Sequence, residues 1–267
     1  MLSRKLAVLV VLAVVPALAQ VSTQTTSEIL APRQHAPMRW VGTLPDGSVQ
    51  STNWSGYAVT GSGFTAAEGS WTVPTVSCSK TPNTYSSFWV GIDGYSSSTV
   101  EQTGTDSDCS GSSPSYYAWY EFYPKGSVLI TSVPVSPGNQ MSAKVTFNGS
   151  QFTVTITNET TGKSFSKSSR VSGAKRSSAE WIAEAPCCTR SGGILPLADF
   201  GTVDFGQDYT NVSGTNDATD SSISGDIAAY GSAVNSITMV SSSGAQEAVP
   251  SGLSSDGTSF TVAWKSE

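Results

Sequence analysis

From residue 51 to its end the chain alternates apolar and polar residues with a period of two. Phe152, Val154 and Ile156 interleave with Thr153, Thr155 and Thr157, the pattern of a strand with one face buried. Similar runs at 54–60, 66–73, 86–93, 116–123, 141–147, 179–184, 200–205, 234–240 and 258–264 predict further strands. Turn residues separate them: Pro74, Gly94, Pro124, Pro137-Gly138, Asn148-Gly149, Thr161-Gly162 and Asp256-Gly257. Asn148-Gly149 between two alternating runs is a hairpin signal. No stretch carries a helical stripe, and neither an internal repeat nor an interdomain linker is present. About a dozen strands joined by tight turns predict an all-β fold, an antiparallel β-sandwich of two large curved sheets.

The alternation also assigns faces. In 88–93, Phe88, Val90 and Ile92 point to the core, and Trp89, Gly91 and Asp93 point the other way. In 116–123, Tyr117, Trp119, Glu121 and Tyr123 share one face. In 179–184, Glu180, Ile182 and Glu184 lie together, with Trp181 opposite. Apolar walls carrying a few placed polar groups are what a ligand cleft needs. Taken singly, a strand Glu is usually just solvated and a Trp is usually core; the joint occurrence on neighbouring runs is what points to a site.

Composition narrows the chemistry. The 267 residues suit one large domain or two small ones, and 7 Trp, 9 Tyr and 9 Phe are enough for a packed core. A net charge of −6 and a pI near 4.8 exclude a nucleic-acid binder, which needs a basic face. The single histidine, His35, lies in a segment expected to be removed. Without it no Ser-His-Asp triad, Cys-His pair or histidine zinc site can be built. Carboxylates, amides, hydroxyls or Lys must then do the chemistry, and no ligand cluster indicates a metal or cofactor.

Residues 1–19 read as a secretory signal: Arg4 and Lys5, an apolar run from Leu6 to Val15, and Ala17-Leu18-Ala19 before Gln20. The run is too short to span a bilayer. Residues 20–50 read as a prosegment or disordered leader, and 51–267 as the working domain. Beyond residue 50 there are 18 acidic and 10 basic side chains, a net of −8, whereas residues 1–50 carry four basic and two acidic side chains and are slightly basic. Such a leader is expected to be held near neutral pH and released as carboxylates protonate. Four cysteines in a secreted chain suggest two disulfides with three connectivities open. Cys78 with Cys109, and a vicinal Cys187–Cys188 bridge, are favoured, with separate partners for the adjacent pair as the alternative.

Six segments in order carry a resemblance: NWSGYAV at 53–59, GSWTVPTV at 69–76, FWVGIDG at 88–94, EQTGTD at 101–106, YYAWYEFYP at 116–124 and AEWIAE at 179–184. Together they resemble the glutamic peptidases, the eqolisin family of acid endopeptidases, over roughly 50–265. The resemblance implies a sandwich with its site on a concave face. It further implies a catalytic Gln in the QTG motif, Gln102, and a catalytic Glu following Ala, Glu180. It carries substrate-cleft roles onto Trp89, Asp93, Asp106, Trp119 and Glu121. Tyr117 departs from the family, where fungal members can have Asp.

The expected reaction is peptide hydrolysis in acid by a monomer acting on protein or peptide substrates, with no nucleic acid or membrane partner. Glu180 would take a proton from water and return it to the leaving amine, and the Gln102 amide would donate to the oxyanion. Two other classes compete. A glycoside hydrolase would use a carboxylate pair such as Glu121 with Glu180 or Glu101. A lectin or adhesin would bind without turnover. An aspartic peptidase is disfavoured, because the Asp-Thr/Ser-Gly pair is absent.

Overall fold

The computed structural model describes residues 28–187 and 193–267. The predicted signal at 1–19, the first part of the leader and Cys188 lie outside the described residues. In chain order the strands are β1 (Trp40–Thr43), β2 (Val49–Ser51), β3 (Trp54–Thr60), β4 (Ala66–Thr72), β5 (Tyr85–Ile92), β6 (Val100–Ser110), β7 (Ser113–Tyr123), β8 (Val128–Ile130) and β9 (Gln140–Phe147). They continue with β10 (Phe152–Asn158), β11 (Lys163–Ser169), β12 (Ser178–Glu184), β13 (Thr202–Phe205), β14 (Asp217–Thr219), β15 (Ser224–Asp226), β16 (Val234–Val240), β17 (Gln246–Pro250) and β18 (Phe260–Trp264). Among the described residues the helical turns are short, Gln207–Thr210 and Ile227–Ala233. None is long and apolar enough to cross a membrane.

The predicted two sheets are corrected to one. Hydrogen bonds link every strand into a single all-β sheet, antiparallel apart from the β2–β16 pair. One half runs β8-β7-β6-β5-β12-β3-β16 and the other β11-β10-β9-β4-β13-β18. β17 joins them, pairing with β16 on one side and β18 on the other. The β16–β17 pairing contains a register shift, the irregularity that lets a sheet turn a corner. Curled this way, the halves bury a common core. Phe88, Val90, Trp181 and Tyr57 from the first half meet Val154, Ile156, Val203 and Phe260 from the second.

The predicted strand runs are present, but β6 carries no hydrophobic alternation and escapes a periodicity reading. It is buried on both faces and polar on both. Toward the core, Thr105 Oγ1 accepts from Trp71 Nε1 at 2.9 Å and Thr103 Oγ1 donates to the Trp119 carbonyl at 2.6 Å. With these partners, hydroxyls can occupy positions where an apolar residue would be expected. The leader is also corrected. Its boundary at residue 50 falls inside β2, which pairs with β1 and β16, so 40–50 belong to the sheet. Cys78 and Cys109 form the favoured disulfide, closing a 31-residue separation. Cys187 is disulfide-bonded as well.

Gly104 shows how tightly the centre is packed. A Cβ there would lie 2.3 Å from the Phe88 carbonyl oxygen and 2.5 Å from Trp89 Cβ. Gly104→Ala must displace backbone, at a cost of about 1–3 kcal/mol. The expected result is a lower urea midpoint with an unchanged m-value; an unshifted midpoint would show that β5 and β6 can separate freely.

Candidate active site

Strands β12, β5, β6 and β7 lie side by side, and their register lines up three rows on the face away from the core. The first row is Glu180, Gly91, Gln102, Glu121; the second Ile182, Trp89, Gly104, Trp119; the third Glu184, Ser87, Asp106, Tyr117. Glycines at two central places keep the middle of the face low between the tryptophans. Tyr117, at the departure from the family pattern, places its hydroxyl 2.7 Å from Asp106 Oδ2 and 3.0 Å from Asp108 Oδ2. It therefore ties the carboxylates at the far end.

The face is roofed by residues 28–39 of the chain itself. The Ile29 carbonyl accepts from Leu129 N at 2.8 Å, and Ala31 N donates to the Ser127 carbonyl at 2.9 Å. Arg33 Nε lies 3.2 Å from Asp108 Oδ2, with its guanidinium 3.8 Å above the Tyr85 ring. Gln34 and Cys187 exchange two backbone hydrogen bonds, of 2.7 and 2.8 Å. The His35 ring stacks on Trp119, centroids 3.5 Å apart and planes 7° apart. Its Nε2 lies 3.1 Å from Asp106 Oδ1 and its backbone N–H donates to Glu121 Oε2 at 3.1 Å. Beyond the site, the Ala36 carbonyl accepts from Trp54 Nε1 and Asn53 Nδ2, and Met38 N donates to the Gly94 carbonyl.

One peptide bond is gripped from both sides. Gln102 Nε2 donates to the His35 carbonyl at 3.0 Å, and Ala36 N–H donates to Glu184 Oε1 at 3.1 Å. Each gripping group is itself held. Gln102 Nε2 also donates to Glu121 Oε2 at 2.9 Å, which fixes the amide orientation, and Trp89 Nε1 donates to Glu184 Oε2 at 2.8 Å. A carboxamide on the carbonyl and a carboxyl on the nitrogen are the two groups that amide hydrolysis requires at those atoms.

A model of the Peptidase A4 family matches residues 52–249. The chain belongs to the Peptidase A4 (eqolisin, glutamic peptidase) family. It is 33% identical over 179 residues to aspergillopepsin-2 of Aspergillus niger, covering 58% of this chain and 62% of that one. It is 32% identical over 188 residues to scytalidopepsin B of Scytalidium lignicola, covering 68% and 70%. A crystal structure of scytalido-glutamic peptidase with a transition state analog inhibitor superposes with a TM-score of 0.66 at 26% identity, covering 80% of this chain and 98% of that one.

Of the residues singled out in the sequence, Gln102, Trp89, Asp106, Trp119 and Glu121 gather under the docked segment. Glu180 and Asp93 do not. Asp93, just past β5 at a φ of 72°, accepts from the backbone N–H groups of Lys175, Arg176 and Ser177, and so anchors a loop. Glu180 is fully buried, and neither of its oxygens has a hydrogen-bond partner. Burial holds its carboxyl well above the ordinary range, with the charges of Asp93 and Glu101 adding to the shift. The carboxyl that reaches the gripped bond is Glu184, four residues on and on the same face. The alternation groups the two glutamates on one face, and of the two it is Glu184 that the roofing segment meets. His35 was passed over, as part of a removable leader.

Burial beneath the segment pushes the Glu184 carboxyl up to about 8 and that of Glu121 upward. Burial and the neighbouring Asp106 charge push Asp108 up to about 7. Burial alone would lower His35, but the Asp106 carboxylate outweighs it, with Glu121 and Glu184 adding, and raises the imidazole to about 10. The segment's own charges oppose the burial: His35 lowers Glu121 and Glu184, and Arg33 lowers Asp108.

For His35, raised from 6.5 to about 10, the contribution is complete below pH 6.5 and lost as pH rises through 10. The thermal midpoint of the intact chain is therefore expected to exceed that of His35→Gln near neutrality, with the gap closing toward pH 10. Parallel curves would mean that the imidazole carries no charge in its pocket.

Proposed function

We propose that this protein is a secreted acid endopeptidase in which Gln102 and Glu184, rather than Gln102 and Glu180, carry out hydrolysis. The observation behind this reading is the His35–Ala36 peptide, with its carbonyl on Gln102 Nε2 and its N–H on Glu184 Oε1. Peptide hydrolysis needs an activated water, a stabilised oxyanion and a protonated leaving nitrogen. Gln102 Nε2 is already placed on the carbonyl oxygen and keeps donating as the charge develops. Gln102 Oε1 has no hydrogen-bond partner and is an acceptor suited to orienting the attacking water. Glu184 as carboxylate takes the proton of that water, and as carboxylic acid it delivers it to the nitrogen it already faces.

Glu121 holds the Gln102 amide, and Trp89 holds the Glu184 carboxyl; both are positioning residues. The raised pKa of Glu184 arises first from burial. Opening the cleft to solvent removes that cause and returns the carboxyl toward the range where both protonation states are present in acid. The flat Trp119 face beside Asp106 and Glu121 suits a planar side chain on the carbonyl side of the bond, here an imidazole.

Glu184→Gln is expected to lower kcat on denatured casein in acid by about 10³-fold or more, and Gln102→Ala by about 10²–10³-fold. Glu180→Gln keeps most of the activity, because the Glu180 carboxyl makes no contact with the gripped peptide and burial favours its uncharged form, which an amide resembles. Activity surviving in Glu184→Gln and lost in Glu180→Gln would return the role to Glu180. Digestion of glucan or xylan in place of casein would favour a glycosidase.

A further inference from the structure

We propose that the His35–Ala36 bond is this protein's own first substrate, cut within the same molecule, and that Ala36 is the N-terminus of the working enzyme. The inference rests on the Gln102–Glu184 reading and adds the identity of the bond.

Three independent observations meet there. First, among the described residues His35–Ala36 is the peptide whose carbonyl oxygen and nitrogen are both held by the proposed pair, at 3.0 and 3.1 Å. A reacting bond between an oxyanion donor and a proton donor is in the arrangement that attack requires. Second, the side chain before the bond is fully housed. His35 has no exposed surface, lies flat on Trp119 and reaches Asp106. A segment that merely blocked the cleft would not need so complete a fit on one side of one bond. Third, the fold divides at this place. Downstream, Ala36 and Met38 are tied to Asn53, Trp54 and Gly94, and the chain then enters β1 and β2, which are built into the sheet through β16. Upstream, residues 28–35 enter no strand of the sheet: besides the site itself they make backbone edge contacts with Ser127, Leu129 and Cys187, and Glu28 accepts from Tyr120 and Lys167. A cut later, at 45–53, would remove a strand of the fold; a cut at 35 removes none.

The step balances as ordinary hydrolysis. The water oxygen bonds to the His35 carbonyl carbon and the bond to Ala36 nitrogen breaks. One water proton passes through Glu184 to that nitrogen, and the other stays on the new His35 carboxyl group. The released amine lies beside Glu184 on the short tether 36–39, which must swing aside before an external chain can enter.

The test uses the full chain purified at neutral pH and shifted to about pH 4, near the reference carboxylate range, followed by intact mass and N-terminal sequencing over a wide dilution series. The expected result is a new N-terminus at Ala36, formed at a rate independent of protein concentration. The Ala36→Pro chain, which has no N–H for Glu184, should not be cut after His35. Glu184→Gln, with folding checked by near-ultraviolet circular dichroism, should stay intact. A working enzyme that starts elsewhere, a rate proportional to concentration, or cutting after His35 in Ala36→Pro overturns the inference. If casein digestion still depends on Glu184 in those cases, the catalytic reading stands. A folded Glu184→Gln chain that digests casein like the wild type overturns that reading instead.

Discussion

A carboxamide and a carboxyl approaching one peptide bond from opposite sides is the contact on which the organisation of this molecule depends. Gln102 and Glu184 sit on strands separated by β5 and in different register rows. Neither could touch the other's target without a main chain stretched between them. The docked segment supplies that chain, and its direction decides which carboxyl meets the nitrogen. The second row makes the approach possible: with Gly104 between Trp89 and Trp119, the segment settles low enough to reach both groups.

Building the site on strands, and not on loops, has an electrostatic consequence. The central strands have one face in the core and the other beneath residues 28–39, so their carboxyls are buried whichever way they point. Few cations are available to pair with them, since charged residues make up only 13% of the chain. Burial raises the carboxyls of Glu101, Glu180 and Glu184 above the ordinary range, and the segment lends the cleft two cationic side chains, Arg33 and His35. Neutral acids lose little as pH falls, and a protein with few ion pairs has few to break in acid.

The aromatic residues serve both sides of the sheet. Trp71 and Trp181 close the core, whereas Trp54, Trp89 and Trp119 form the floor and end wall of the cleft, each with a different polar task. Trp54 Nε1 binds the Ala36 carbonyl, Trp89 Nε1 orients Glu184, and Trp119 offers its face to an imidazole. Rigid rings hold these groups in place at low entropic cost, which keeps the grip on the bond close.

The period-two pattern by itself determined that the chain is all-β and which side chains share a face in 88–93, 116–123 and 179–184. Those properties follow from local sterics and the alternation of side chains along a strand. It could not reveal β6, whose buried threonines satisfy their hydroxyls through Trp71 and the Trp119 backbone and so break the alternation. Nor could it separate Glu180 from Glu184, because both point to the same side of one strand with identical spacing. That choice belongs to the tertiary structure: the register of β12 against β5 and β6, together with the track of residues 28–39, brings one glutamate to a nitrogen and leaves the other sealed beside Asp93 and Glu101. The leader shows the same division. Its composition marked it as different from the domain, but only its docking showed that residues 36–51 belong to the fold and that His35 fills the cleft.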